Sequence, residues 1–337
     1  MRQTEPSERL SLQLSFRQSL DNENQAKSNN SGHQINLMNE FSAYFNGEWV
    51  PRNQCKVDIA DRGFTLGDAV YEAERTFGGE VFDLQGHVDR LYRSLEYVKM
   101  DPGINRNEMA SLCSESISRN RHMWKKGSDF ALRQYVSRGT SVLNNIAPLV
   151  YVGADYVNFD RFAGMYENGG HAIFSKNRSY SPNALDPKIK HLSRMNFALA
   201  EREVALIDPT AWPVLLDQAG NVSEGTTFNF WIVKDGRIKT PKKSNILEGI
   251  TRKTAIALAG TEGIPVSEED IQLYDVYTAD EIFITATSFS ILPISRVDNR
   301  ELRDKVPGKV CRKLIDAWSE MVGLDIINQA KIATGIA

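Results

Sequence analysis

Three two-residue turn signals constrain this chain more than any other feature. Asn46-Gly47, Gly78-Gly79 and Asp235-Gly236 each lie between extended runs, and such pairs accept the positive φ angles that a tight antiparallel hairpin demands. Between them the spacing becomes helical: Val88, Leu91, Leu95 and Val98 share one face of the segment from Leu84 to Lys99. Further helices are expected over Glu108 to Trp124, His191 to Ala205 and Thr251 to Ala259. Strands are expected at Phe130 to Arg138, Ala147 to Val152, Ala172 to Ser175, Pro213 to Asp217, Asn229 to Val233 and Glu281 to Thr285, with a turn at Asn221 to Gly225. Hairpins interleaved with helices do not suit a parallel doubly wound sheet, so a mixed α/β (α+β) fold is the expectation.

A length of 337 residues gives room for two domains, at about 150 residues each. Residues 1–40 are polar and read as a flexible extension, in which the alternation Leu10, Leu12, Leu14, Phe16 allows one short strand. The folded part begins near Phe41, with a small domain over residues 41–160, a connection at 161–170 and a larger domain over 171–330. A net charge of −3 removes the basic field that general nucleic-acid binding needs. Cys55, Cys113 and Cys311 show no CxxC or Cys/His spacing, which disfavours a disulfide framework or a zinc site and fits a reducing cytoplasm. The longest uncharged stretches fall short of the ~20 apolar residues of a membrane helix. The expected partner is a small molecule, with no metal and no membrane.

Four segments can carry chemistry. Gly249-Ile-Thr-Arg-Lys253 opens a helix, where unpaired backbone N–H groups and the helix dipole favour an anion. Thr285-Ala-Thr-Ser288 leaves a strand end with several hydroxyl and N–H donors. Glu224 precedes the apolar run Phe228, Phe230, Trp231, Val233, so its carboxylate needs a donor if it is buried. Lys188-Ile-Lys-His-Leu192 places lysines beside apolar residues, where a desolvated amine can act as nucleophile or base. Taken singly, each also reads as an ordinary cap, turn or solvated side chain.

Taken together, in this order and spacing, the fragments resemble the class IV (fold type IV) pyridoxal-phosphate aminotransferases. The matching segments are Phe45-Asn-Gly-Glu, Asp61-Arg-Gly-Phe-Thr-Leu-Gly-Asp-Ala-Val-Tyr-Glu72, His87-Val-Asp-Arg-Leu91, Lys188-Ile-Lys190, Val222-Ser-Glu-Gly225 with Asn229, Leu247-Glu-Gly-Ile-Thr-Arg252 and Ala279-Asp-Glu-Ile-Phe283. The resemblance implies an N-terminal two-layer α/β sandwich, a C-terminal barrel-like α/β domain and pyridoxal 5′-phosphate in the cleft between them. It implies that Lys190 forms the Schiff base with the cofactor. Arg90, Ile250, Thr251 and Thr287 would hold the phosphate, Glu224 would face the pyridine nitrogen and Leu247 would pack on the ring. Tyr71, Leu66, Arg75, Arg133 and Ser288 would line the substrate pocket.

The resemblance further implies a homodimeric transaminase that moves an amino group from an amino acid or primary amine to a 2-oxo acid. The loop Gly139 to Asn145 would reach the neighbouring site. Markers of substrate choice disagree. Tyr71 within Leu66-Gly-Asp-Ala-Val-Tyr-Glu72 resembles the D-amino-acid or (R)-amine branch, yet Leu143 and Asn145 stand where its D-acid members carry an Arg-x-His pair. Arg75 and Arg133 resemble the branched-chain enzymes, yet Met195 replaces that branch's tyrosine. An aminodeoxychorismate-type lyase is the alternative enzyme, and a non-catalytic binding module keeping the fold is the alternative of another class.

Overall fold

The computed structural model describes residues 40–140, 148–302 and 306–336. The expected strand at Leu10 to Phe16 lies outside the described residues, as do Leu143 and Asn145 of the expected inter-subunit loop. Residues Phe41–Ala337 form one compact unit.

The first half is a six-stranded antiparallel sheet with helices on one face. Strands β1 (Ser42–Phe45) and β2 (Glu48–Pro51) join at Asn46 and Gly47, with φ values of 51° and 101°, as expected of that pair. The short helix α1 (Arg62–Leu66) leads into β3 (Ala69–Phe77), which turns at Gly78-Gly79 into β4 (Glu80–Val81). Helices α2 (Leu84–Tyr97) and α3 (Arg106–Arg119) follow, then β5 (Phe130–Ser137) and β6 (Leu149–Tyr156). The strand order is β2-β1-β6-β5-β3-β4. Val88, Leu91 and Leu95 of α2 and Met109 and Cys113 of α3 pack with Val70, Leu132 and Val152 in one apolar core. Helix α3 starts earlier than its periodicity indicates, because Asn105 and Glu108 form a reciprocal capping box.

The second half contains α4 (Met165–Asn168), β7 (Gly170–Arg178), α5 (Met195–Ala205), β8 (Trp212–Leu216), β9 (Val222–Gly225), β10 (Asn229–Lys234) and β11 (Arg237–Thr240). Then come α6 (Ile250–Thr261), β12 (Val266–Glu268), α7 (Leu273–Tyr277), β13 (Glu281–Ala286), β14 (Ser290–Val297), β15 (Arg300–Glu301), α8 (Lys309–Val322) and α9 (Ile326–Thr334). The sheet runs β12-β11-β10-β13-β14-β7-β8-β9, and β9 also pairs with β10. That last pairing closes six strands into a ring, the barrel-like sheet that the family resemblance implied. The closure is a single register pair, Asn229 opposite Glu224.

Two expectations need correction. The turn expected at Asn221 to Gly225 is strand β9; the chain reverses just before it, where the Asp217 side chain accepts hydrogen bonds from the N–H groups of Ala219 and Asn221. The helix expected from His191 begins only at Met195. Upstream, Leu192 N–H donates to Ala69 O at 2.9 Å, and His191 bridges Val70. Pairing with β3 overrides the local helical preference there.

Candidate active site

A cavity of about 350 Å³ lies between the six-stranded sheet and the barrel, within the ~300–1,000 Å³ usual for small-ligand sites. It collects most of the residues singled out from the sequence. Tyr71, Arg90 and Arg133 line it from the first half, and Lys190, Glu224 and Leu247 from the second. Ile250, Thr251, Thr287 and Ser288 line it as well.

Lys190 is held by its backbone. Its N–H donates to Ser94 Oγ of α2 at 3.2 Å and its carbonyl accepts from Tyr71 N–H of β3 at 2.9 Å. The side chain is thereby aimed along β3, with Nζ 4.6 Å from the centre of the Tyr71 ring. Burial raises the Tyr71 hydroxyl pKa, but the charges of Lys190 and Arg194 outweigh that and leave it below its ordinary value.

Glu224 sits on the strand pair that closes the barrel and is buried. One carboxyl oxygen accepts from Leu247 N–H at 3.1 Å and the other from Asn229 Nδ2 at 3.1 Å. Burial pushes its pKa up to about 7, against the Leu247 hydrogen bond and the charges of Arg194, Lys190 and Arg90. A carboxyl held this way can meet a protonated heteroatom across the cavity.

At another part of the cavity, helix α6 begins after Gly249 without a side-chain cap, so its first N–H groups remain available for an anion beside the buried Thr251. Gly249 has no room for a side chain: a Cβ there would lie 2.1 Å from Asn229 Oδ1. Asn229 also donates to Leu247 O at 3.0 Å, so it ties the approach to α6 to Glu224. Gly249→Ala is expected to push Asn229 off both partners and to lower stability by about 1–3 kcal/mol in a denaturant titration.

Arg90 reaches the cavity from α2 and is anchored by a fork to Glu72 of β3, with Nε and Nη2 donating at 2.8 and 2.6 Å. Its Nη1 donates to Glu248 O at 2.9 Å, just before α6. Three of its five donors are engaged in this way, and two remain for an anion.

Two expected pocket residues are placed differently. Leu66 ends α1 at 61% exposure and does not line the cavity. Arg75 lines it but is 1% exposed, with Nη1 donating to Ser288 O at 2.6 Å and Nη2 to Gln329 Oε1 at 2.7 Å. Its guanidinium stacks on Phe77 at 4.2 Å. Arg75 therefore braces the wall instead of presenting free donors to a substrate. Sequence reasoning missed Arg194, which lines the cavity, donates to Thr226 O and lies 4.4 Å over the Phe197 ring. Its only signal was its place four residues after Lys190. Among the described residues, no group of His, Cys, Asp or Glu could hold a metal ion.

The donor set fits pyridoxal phosphate: an uncapped helix start for a phosphate, a buried carboxyl for a ring nitrogen and a lysine amine for an aldehyde, in a cavity of suitable size. Comparison with known proteins agrees. The chain matches the family described as Amino-transferase class IV over residues 69–297. A Methanocaldococcus jannaschii protein, provisionally named a branched-chain-amino-acid aminotransferase, is 35% identical over 286 residues, 82% of this chain and 95% of that protein. A D-alanine aminotransferase of Listeria monocytogenes serotype 4b (strain F2365) is 31% identical over 284 residues, 82% and 94% of the two chains. The crystal structure of a branched-chain aminotransferase from Thermoproteus uzoniensis with norvaline superimposes with a TM-score of 0.75 at 26% identity, over 84% of this chain and 95% of that one. The chain belongs to the class IV aminotransferases, which are transaminases dependent on pyridoxal phosphate.

Proposed function

We propose that this transaminase takes an amino acid as its donor and passes the amino group to a 2-oxo acid, with Lys190 as the catalytic residue. The observation that carries this reading is the convergence of Lys190, Glu224 and the start of α6 on one cavity. When bound, the cofactor supplies an electron sink for the charge left at the substrate Cα. Lys190 Nζ would tether it and, once the substrate amine has displaced it, would take up the Cα proton. Glu224 holds the ring nitrogen in its protonated form. The N–H groups of Ile250 and Thr251, the hydroxyls of Thr251 and Thr287, and Arg90 would hold the phosphate, while Leu247 would pack on the ring. The phosphate contacts keep the reacting atoms in register without taking part themselves.

Arg133 and Arg194 at the cavity favour a donor that carries a carboxylate over a simple amine, with Tyr71 and Ser288 beside it. A panel of L-leucine, D-alanine and (R)-1-phenylethylamine with 2-oxoglutarate or pyruvate tests this. Turnover of the amine alone would overturn the amino-acid reading, and repeated release of pyruvate from an aminodeoxychorismate-type substrate without an acceptor would assign a lyase. The apolar side chains of Phe64, Leu66 and Met195 are 66%, 61% and 70% exposed, and α1 meets the segment before α5 where Ser193 Oγ donates to Gly67 O. This patch supports a homodimer in which the loop Gly139 to Asn145 completes the neighbouring site; residues 141–147 lie outside the described residues. A monomer by light scattering would remove that part. Three free cysteines support a cytoplasmic location, and no helix among the described residues is long and apolar enough to cross a membrane.

Glu224 also makes a prediction about pH. Its pKa rises from 4.5 to about 7 on folding, so the folded state binds that proton more tightly than the unfolded chain does. The resulting stability is present in full below about pH 4.5 and is lost as pH rises through about 7. Relative to Glu224→Gln, the cofactor-free protein is expected to lose on the order of 3 kcal/mol between those limits, read by denaturant unfolding across the range.

A further inference from the structure

The geometry points to Gln329 as a positioning residue: from the C-terminal helix α9 it sets Arg75, and through Arg75 the Thr287-Ser288 turn of the cofactor cavity. Gln329 is buried, and its side chain is read at both ends. Oε1 accepts from Arg75 Nη2 at 2.7 Å, and Nε2 donates to Asp129 Oδ2 at 2.6 Å. Asp129 is itself fixed by Thr76 Oγ1 at 2.6 Å and by the N–H groups of Gly78 and Gly79. With that anchor, Arg75 Nη1 donates to Ser288 O at 2.6 Å. The carbonyl of Ser288 is thus tethered, across 213 residues of sequence, to the strand that also carries Tyr71. Because the amide of Gln329 offers one acceptor to an arginine and one donor to a carboxylate, neither a hydrocarbon nor a carboxylate alone can replace it without leaving a buried group unmatched.

This inference rests on the cavity being the pyridoxal-phosphate site, and its test separates the two. Cofactor retention is measured on the holoenzyme by the decay of its visible absorbance during dilution, alongside KM and kcat. Gln329→Met removes two hydrogen bonds to charged groups, and the loss of the one to Arg75 is expected to weaken retention by about tenfold and to raise the donor KM by a similar factor, with kcat changed less than about threefold. The exchange Gln329→Glu with Asp129→Asn restores the tie to Arg75, since the new carboxylate accepts from Arg75 and from the new amide; it gives up only the long 3.3 Å bond that Asp129 Oδ2 accepts from Gly78 N–H. That double variant is expected to return to within about threefold of the parent, and it decides the matter even if Gln329→Met does not fold. Ile327→Val, which loosens the same helix without touching the network, should lower the melting temperature while leaving retention unchanged.

Retention equal to the parent in Gln329→Met would overturn the inference. So would failure of the exchange to restore retention once it folds, or a loss in Ile327→Val as large as in Gln329→Met. A parent protein that takes up no cofactor would instead overturn the assignment of the cavity.

Discussion

Lys190→Ala is expected to abolish transamination, lowering kcat by at least about four orders of magnitude, because the covalent tether and the proton carrier proposed for this position are lost together. The fold should survive. Lys190 is only partly buried, and its structural ties are backbone hydrogen bonds to Ser94 and Tyr71 that alanine keeps. The check is a coupled assay of parent and variant with matched melting curves. Retained turnover in a folded variant would remove Lys190 from the chemistry.

Arg90→Met is expected to have the largest effect on stability. Glu72 is fully buried, and its two oxygens are held by the Arg90 fork, with His87 Nδ1 at 3.2 Å from one of them. Burial alone would raise the Glu72 pKa, but the Arg90 guanidinium, joined by His87 once that ring is protonated, overcomes it and holds the carboxyl well below the usual carboxylate range. Removing the arginine strands a buried charge, at a cost of about 3–5 kcal/mol. A depressed pKa contributes stability above the unfolded value and loses it in acid, so the deficit of the variant should be greatest at neutral pH and shrink below about pH 4.5. Adding Glu72→Gln to the arginine variant removes the stranded charge and should recover much of the loss. Urea unfolding of the three proteins at two pH values tests both points.

How much was legible in the chain itself follows from the range of each interaction. The Asn46-Gly47 and Asp235-Gly236 hairpins are written in residues that touch, and both turn with the positive φ angles expected of them. Lys190, Glu224 and the start of α6 could be picked out because a few short segments carry them. Their partners could not. Arg75 read as a substrate contact, yet its acceptor Gln329 lies 254 residues away and leaves no local trace. Strand β9 read as a turn because its pairing with β8 and β10 is made in space. The helix of Met195 starts late for the same reason, since β3 claims the backbone of His191 and Leu192 before it can coil.

The seam of the barrel has a consequence for how such a site can change over time. Glu224 and Asn229 form the one register pair that joins β9 to β10, so the acid assigned to the ring nitrogen also helps close the wall around it. A replacement at position 224 is screened twice, once for what it does to the cofactor and once for whether the cylinder still shuts. Lineages could then explore new donors more freely at Arg133, which lies on β5 outside the barrel, than at the acid on the seam.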